Sequence, residues 1–361
     1  MINVNKPFLP KSDEYQRYVD QIFNINWLTN NGPLVNEFEL KIKDYLKINH
    51  FLFVSNGTIA LQFAIKALDL KGEIITTPFS YVATTSSIVW EGCTPIFVDI
   101  DSKSFNINPS KIEEKINENT SAILATHVYG NPCDIDQIQE IAEKHNLKVI
   151  YDASHCFGTQ YKNRSVFEYG DISTTSFHAT KLLHSIEGGG VFSNDPQLIK
   201  KIASMRNFGH DGENKFSGLG INGKNSEFHA AMGLCNLNYI DNILEKRKSD
   251  SFRYNLWFDK SEDISLLKVN NITSFNYAYY PIVLKTKKIC EKIYKDLKEN
   301  NIYARRYFYP LLSDLDYVEN SNDNIVANEI TEKVLCLPLY YQLTNEEIDM
   351  IARIILRTLN N

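Results

Sequence analysis

Between residue 50 and about residue 195, short apolar runs alternate with longer stretches in which apolar positions recur every three or four residues. The runs are Phe51–Ser55, Ile74–Thr77, Pro95–Ile100, Ala122–Thr126, Val149–Asp152, Ser173–Phe177 and Gly190–Ser193. Several show no polar alternation, as strands do when both faces of a largely parallel sheet are covered. Thr58–Leu68, Val82–Glu91, Pro109–Asn117 and Ile135–His145 are long enough to be crossover helices between them. The pattern predicts an α/β fold, a sheet sandwiched by helices. Past about residue 245 the character shifts. Phe275–Leu284 and Ile302–Phe308 read as strands, Lys287–Asn300 and Glu346–Leu359 as amphipathic helices. The expected division is a large domain over 1–245, carrying an N-terminal arm, and a smaller α/β domain over 246–361.

Composition narrows the class. The chain has 361 residues, 43% of them apolar, enough for a sizeable core. Lys plus Arg total 38 against 44 Asp plus Glu, a net charge of −6, which offers no electrostatic case for nucleic acid. No uncharged apolar run approaches a membrane span, and Met1 to Asp13 lacks the apolar stretch of a secretory signal. Cys93, Cys133, Cys156, Cys235, Cys290 and Cys336 are scattered without a CxxC pair. That spacing fits reduced thiols in a cytoplasmic enzyme better than a disulfide frame or a zinc site. None of the eight histidines pairs as HxxxH, so no metal is expected.

Three polar clusters follow predicted strands, where open α/β sheets bind ligands. Ser55-Asn56-Gly57-Thr58 stands between a strand and a helix. Gly there lets backbone approach a ligand, and the first helical turn attracts phosphate. The same residues equally make an ordinary N-cap. Asp152, beside His155, ends a second run; it is either half of a catalytic or cofactor pair or a cap for the next turn. Lys181 follows Ser176-Phe177-His178-Ala179-Thr180 and precedes Glu187-Gly188-Gly189-Gly190. Burial of that lysine would favour a free amine, and the Gly run would let the next strand pack closely. Together an anion cradle, a carboxylate and an amine are what pyridoxal 5'-phosphate (PLP) requires.

The ordered series Asn56-Gly57-Thr58, Thr77-Pro78-x-x-Tyr81, His127-Val128-Tyr129-Gly130, Asp152-x-x-His155 and Ser176-to-Lys181 resembles the DegT/DnrJ/EryC1/StrS sugar aminotransferases. The likeness runs from Trp27-Leu28-Thr29 to Leu337-Pro338-Leu339-Tyr340. It implies a type I aminotransferase fold, with a mostly parallel seven-stranded sheet and a smaller C-terminal α/β domain. It implies that Lys181 is the Schiff-base lysine, that Asp152 partners the pyridinium nitrogen and that His155 lies near the cofactor's phenol oxygen. Tyr81 falls where a ring stacks on the pyridine; Gly57, Thr58 and Ser176 match the phosphate cradle. Asn225, in Gly223-Lys224-Asn225-Ser226-Glu227, matches an Asn that reaches the neighbouring subunit's phosphate, which implies a homodimer with shared sites. Thr29, Arg306 and Tyr309 fall near the family's nucleotide-sugar site; the adjacent Arg305 and Arg306 suit a diphosphate or, equally, a surface salt bridge. His127 reads as packing at a strand end. Since Lys181 is present where some dehydratase relatives have His, transamination is expected.

Within the family, the arm, the His127–Asp134 segment and the lysine motif look closest to the branch that uses glutamate to aminate C4 of dTDP-4-keto-6-deoxy-D-glucose. Its product feeds O-antigen or other surface glycans. The alternatives are a 3-aminotransferase, a 4-aminotransferase of a GDP- or UDP-linked ketosugar, and a regulatory protein on the same scaffold.

Overall fold

The computed structural model describes residues 1–269, 273–318 and 323–360. In chain order come β1 (Ile2–Asn3), α1 (Ser12–Ile25), α2 (Pro33–Leu46), β2 (Phe51–Val54), α3 (Gly57–Ala67), β3 (Glu73–Thr76), α4 (Val82–Trp90) and β4 (Thr94–Phe97). Next are β5 (Thr120–Thr126), α5 (Ile135–His145), β6 (Lys148–Asp152), β7 (Gln160–Tyr161), β8 (Arg164–Ser165), β9 (Ile172–Ser176) and β10 (Gly189–Phe192). The rest are α6 (Pro196–Met205), α7 (Glu227–Leu237), α8 (Ile240–Phe258), β11 (Ile264–Leu266), β12 (Thr273–Ser274), β13 (Tyr280–Leu284), α9 (Lys287–Glu299), β14 (Ile302–Tyr303), α10 (Ile325–Lys333), β15 (Val334–Leu337) and α11 (Asn345–Asn360).

Seven strands form the central sheet in the order β2-β10-β9-β6-β5-β3-β4. Every pairing in it is parallel except those of β10, which runs against both β2 and β9. The missing polar alternation has a direct cause. Phe51 and Phe53 of β2, with Val149 and Tyr151 of β6, enter one core, while Leu52, Val54 and Ile150 enter the core on the opposite face. At roughly 25 cal/mol per Å² of apolar surface removed from water, covering both faces is what holds such a sheet.

The C-terminal region builds its own core from Tyr254, Phe258, Ile282, Ile293, Leu335 and Ile351, around the sheet β11-β13-β15. β1 pairs in parallel with β14, so Ile2 is buried in this second core. Helix α8 spans the expected boundary at 245/246. A further apolar cluster, including Phe79, Phe105 and Tyr129 with Phe308, Leu311 and Cys336, joins the two regions.

Three expected elements differ. The helix expected over Pro109–Asn117 is two short 3₁₀ turns, Pro109–Lys111 and Glu113–Lys115. Only Ile112 of that stretch is fully buried, too little apolar surface to pin a longer helix. Of Phe275–Leu284 only Tyr280–Leu284 is a strand in the second sheet. Upstream, Tyr277 takes φ +52 and Asn276 donates to the carbonyls of His155 and Phe157, bending the chain toward the first sheet. The strand expected over Ile302–Phe308 stops at Tyr303, after which Arg305 exchanges backbone hydrogen bonds with Cys336.

Candidate active site

A cavity of about 450 Å³ opens at the carboxyl ends of the parallel strands, where α/β sheets place ligands. Seven of the expected site residues line it: Gly57, Thr58, Tyr81, Asp152, His155, Ser176 and Lys181.

One wall is the start of α3. Asn56 caps it, its Oδ1 accepting from the Ile59 N–H at 2.8 Å and its carbonyl from Ala60. The N–H groups of Gly57 and Thr58 remain for an anion, as the first turn has no internal acceptors. Gly57 is required by proximity, since a Cβ there would sit 2.9 Å from Ser176 Cβ. A Cβ on Gly189 would come within 2.3 Å of the Asn56 carbonyl, so the glycine run brings β10 up behind the cradle.

Asp152 ends β6, 5% exposed. Its Oδ2 accepts from Thr84 Oγ1 at 2.8 Å and its Oδ1 from Ser154 Oγ at 2.6 Å. Thr84 continues to Ser80 and Ser80 to Thr126, at 2.8 and 3.0 Å. His155 accepts the Tyr129 N–H on Nδ1 at 3.2 Å, and Tyr129 reaches that position with φ +57. Burial, aided by the charge of Lys181, holds the His155 pKa well below its ordinary value. The ring is therefore neutral with its hydrogen on Nε2. It stacks on Phe308, centroids 5.9 Å apart, with the Tyr279 ring at 4.8 Å.

Lys181 closes a tight turn, its N–H donating to the His178 carbonyl at 2.8 Å, while Asn5 Nδ2 donates to the carbonyl of Thr180. Desolvation pulls the Lys181 pKa down to about 8, against the opposing charge of Asp152. Tyr81, the residue preceding α4, leaves its ring about half exposed at the rim.

Four expected residues lie outside this lining. Asn225 is buried beside it, its amide donating to the carbonyls of Val54 and Glu187. Thr29 lies on the exposed arm, its carbonyl accepting from Trp27 Nε1. Arg306 turns away to the Thr331 carbonyl at 3.1 Å and lies 3.8 Å from the Tyr309 ring centre. Arg305 lines the cavity instead, with Tyr279, Tyr307 and Phe308. The sequence reading also passed over Ser80, Thr84, Thr126 and Ser154. The one available signal was the hydroxyl-rich Thr84-Thr85-Ser86-Ser87 inside an otherwise apolar helix. His127 packs as expected, stacked on Tyr151 and accepting from the Cys133 N–H at 3.0 Å. Among the described residues no acidic, His or Cys group is placed to hold a metal, and no helix is long and apolar enough to cross a membrane.

These residues fit PLP. The cradle offers neutral donors and a glycine whose side chain would fill the space; Asp152 is a buried carboxylate, and Lys181 carries an amine that is easily freed of its proton. Sheet order and site together place the molecule among the PLP-dependent enzymes of the type I aminotransferase fold. More narrowly, it belongs to the DegT/DnrJ/EryC1/StrS aminotransferase family, whose sequence profile matches residues 11–356. It is 41% identical over 356 residues to a dTDP-4-amino-4,6-dideoxy-D-glucose transaminase of Shigella dysenteriae, covering 97% of each chain. It is 31% identical to the GDP-perosamine synthase of Escherichia coli O157:H7, over 96% of this chain and 95% of that one. Among solved structures, DesI with its TDP-sugar product superposes with a TM-score of 0.94 at 28% identity, covering 99% of this chain and 93% of that one.

Proposed function

We propose that this aminotransferase moves the amino group of glutamate to C4 of dTDP-4-keto-6-deoxy-D-glucose, giving dTDP-4-amino-4,6-dideoxy-D-glucose for a surface glycan such as O-antigen. The observation that carries this reading is the 41% identity to the Shigella transaminase over 97% of each chain, supported by the gathering of Gly57, Thr58, Asp152, Ser176 and Lys181 around one cavity. Bound PLP supplies a carbonyl that takes up the amino group and a ring that withdraws electrons from the substrate carbon.

The chain's own residues hold and time that chemistry. The N–H groups of Gly57 and Thr58, with the Thr58 and Ser176 hydroxyls, anchor the phosphate. Asp152 would keep a proton on the pyridine nitrogen, and His155, its hydrogen on Nε2, would be the donor for the phenol oxygen. Tyr81, at the rim of the cavity, would cover one face of the ring. Lys181 Nζ, whose pKa burial lowers to about 8, would take a proton from the substrate carbon and return it on the cofactor side of the transfer. In this reading Asn225 completes the phosphate site of a partner in a cytoplasmic homodimer. The exposed Phe23, Ile25, Trp27 and Leu28 of the arm give a second copy apolar surface to cover. Thr29, Arg306 and Tyr309 would then meet the nucleotide sugar.

The test is an assay with glutamate and the dTDP-4-ketosugar, the product's amine position read by NMR. A C4 amine in the gluco configuration is expected. The likeness to a GDP-perosamine synthase supports a second reading, a GDP-linked 4-ketosugar. Turnover of that sugar in place of the dTDP one would decide for it.

A further inference from the structure

The four basic side chains that line the active cavity are Lys181, His155, His178 and Arg305. Lys181 is committed to the cofactor. His155 is neutral, and His178 has Glu187 at 3.6 Å. Arg305 alone brings a permanent charge, and it has no carboxylate partner among the described residues. Its backbone is clamped by two hydrogen bonds to Cys336, at 3.0 and 2.8 Å, and its guanidinium lies 4.4 Å from the Tyr307 ring centre. The Tyr307 ring meets Tyr279 edge-on at 5.7 Å, and Tyr279 meets His155. Arg305 and Thr180, the residue before the reactive lysine, also share the lining of a side cavity of about 120 Å³. An exposed cation without a carboxylate partner among the described residues thus stands on the wall of the cavity that also holds Lys181.

We infer that Arg305, and not its neighbour Arg306, binds the α-carboxylate of the amino donor. The inference rests on the aminotransferase reading and deepens it. In an α-amino acid the carboxylate is bonded to the same carbon as the reacting amine, so its counter-ion must lie beside Lys181. The diphosphate of a nucleotide-linked 4-ketosugar leaves from C1, across the ring from the reacting C4, and needs cations farther out. A guanidinium suits a carboxylate because it can donate two parallel hydrogen bonds. Arg306, which donates to the Thr331 carbonyl, lies on the Tyr309 ring and does not line the cavity, is the built-in control for the donor's carboxylate.

The cofactor-loaded enzyme should be titrated with L-glutamate alone, following loss of the lysine-bound cofactor's absorbance. In Arg305→Gln the half-saturating glutamate concentration should rise at least about tenfold. In Arg306→Gln it should stay within about twofold, and Arg305→Gln should not move the KM for the sugar nucleotide more than about threefold. Propylamine, which lacks the carboxylate, should react equally poorly with wild type and Arg305→Gln. On the unmodified enzyme, 2-oxoglutarate should shield Arg305 from phenylglyoxal in a peptide map, a readout that survives if the variant misfolds. An unchanged glutamate titration, or a rise confined to the sugar nucleotide, would overturn the inference, as would an unshielded Arg305. If glutamate reacts normally and no dTDP-sugar is aminated, the proposed substrate fails and the role of Arg305 stands.

Discussion

Thr84 donates its hydroxyl hydrogen to Asp152 across 2.8 Å, and the same hydroxyl is tied through Ser80 to Thr126 at the end of the neighbouring strand. The carboxylate is thus aimed by α4 as well as by its own strand. Hydrogen bonds to a charged group contribute roughly 1.5–3 kcal/mol. Thr84→Val keeps the shape and removes the donor, so kcat should fall on the order of tenfold with little change in melting temperature. Asp152→Asn removes the charge itself and should cost roughly 100- to 1000-fold, the scale of losing one preorganised electrostatic contact. Equal rates in Thr84→Val and wild type would show that β6 alone orients the acid.

The cradle can be tested by crowding. In Gly57→Ala the new methyl would stand 2.9 Å from Ser176 Cβ, against backbone that cannot retreat far. Overpacking of this kind costs about 1–3 kcal/mol. Because the strain falls where phosphate would sit, it should appear mainly as a weaker hold on PLP. Equilibrium dialysis should show retention falling roughly tenfold, for about 1.4 kcal/mol lost from binding. Unaltered retention with a lowered melting temperature would make Gly57 a packing residue only.

Lys181 should capture PLP in a pH-dependent way. In the proposed chemistry its amine is the nucleophile, and with a pKa of about 8 the free-base fraction rises about tenfold per pH unit below that point, then levels off. Stopped-flow absorbance of the apo-enzyme mixed with PLP should therefore accelerate up to about pH 8 and flatten beyond it. A profile still climbing at about pH 10, near the ordinary lysine value, would show that the amine is not desolvated. Lys181→Ala should give no lysine-bound absorbance and no turnover.

Much of this was legible in the sequence, for identifiable reasons. The central strands could be read because both faces are covered, so their apolar runs are uninterrupted. Phe51–Val54 and Lys148–Asp152 formed within a residue of expectation, and the helix over Ile135–His145 formed as read. Gly57, Asp152 and Lys181 stood out because each lies at, or within four residues of, the end of such a run. What stayed hidden depends on pairing across the chain. Nothing local to Thr84 names Asp152, 68 residues on, as its acceptor. Arg305 and Arg306 are adjacent and chemically identical; only the Arg305–Cys336 backbone pairing decides which of them faces the cavity. The Phe275–Leu284 stretch misled because its aromatics suit a strand, while Asn276 binds the His155 and Phe157 carbonyls and turns the chain aside.

The buried histidines should make the fold sensitive to acid. Burial pulls His127 down to about 3 and holds His155 well below its ordinary value, and both side chains are neutral in the folded chain. Unfolded, each titrates near 6.5, so below that pH the unfolded chain binds protons that the folded chain refuses. Their contribution is intact above about pH 6.5 and is lost as pH falls, by about 1.4 kcal/mol per pH unit for each histidine. Melting temperature should therefore drop steeply between about pH 6.5 and pH 5. His127→Gln offers a discriminating comparison. It forfeits the stack on Tyr151 and should melt lower than wild type at neutral pH. Having one titrating group fewer, it should lose less on going to about pH 5, so the two curves converge. Parallel curves would mean that His127 takes up its proton in the folded state as readily as in the unfolded one, and that its imidazole is not sealed from water.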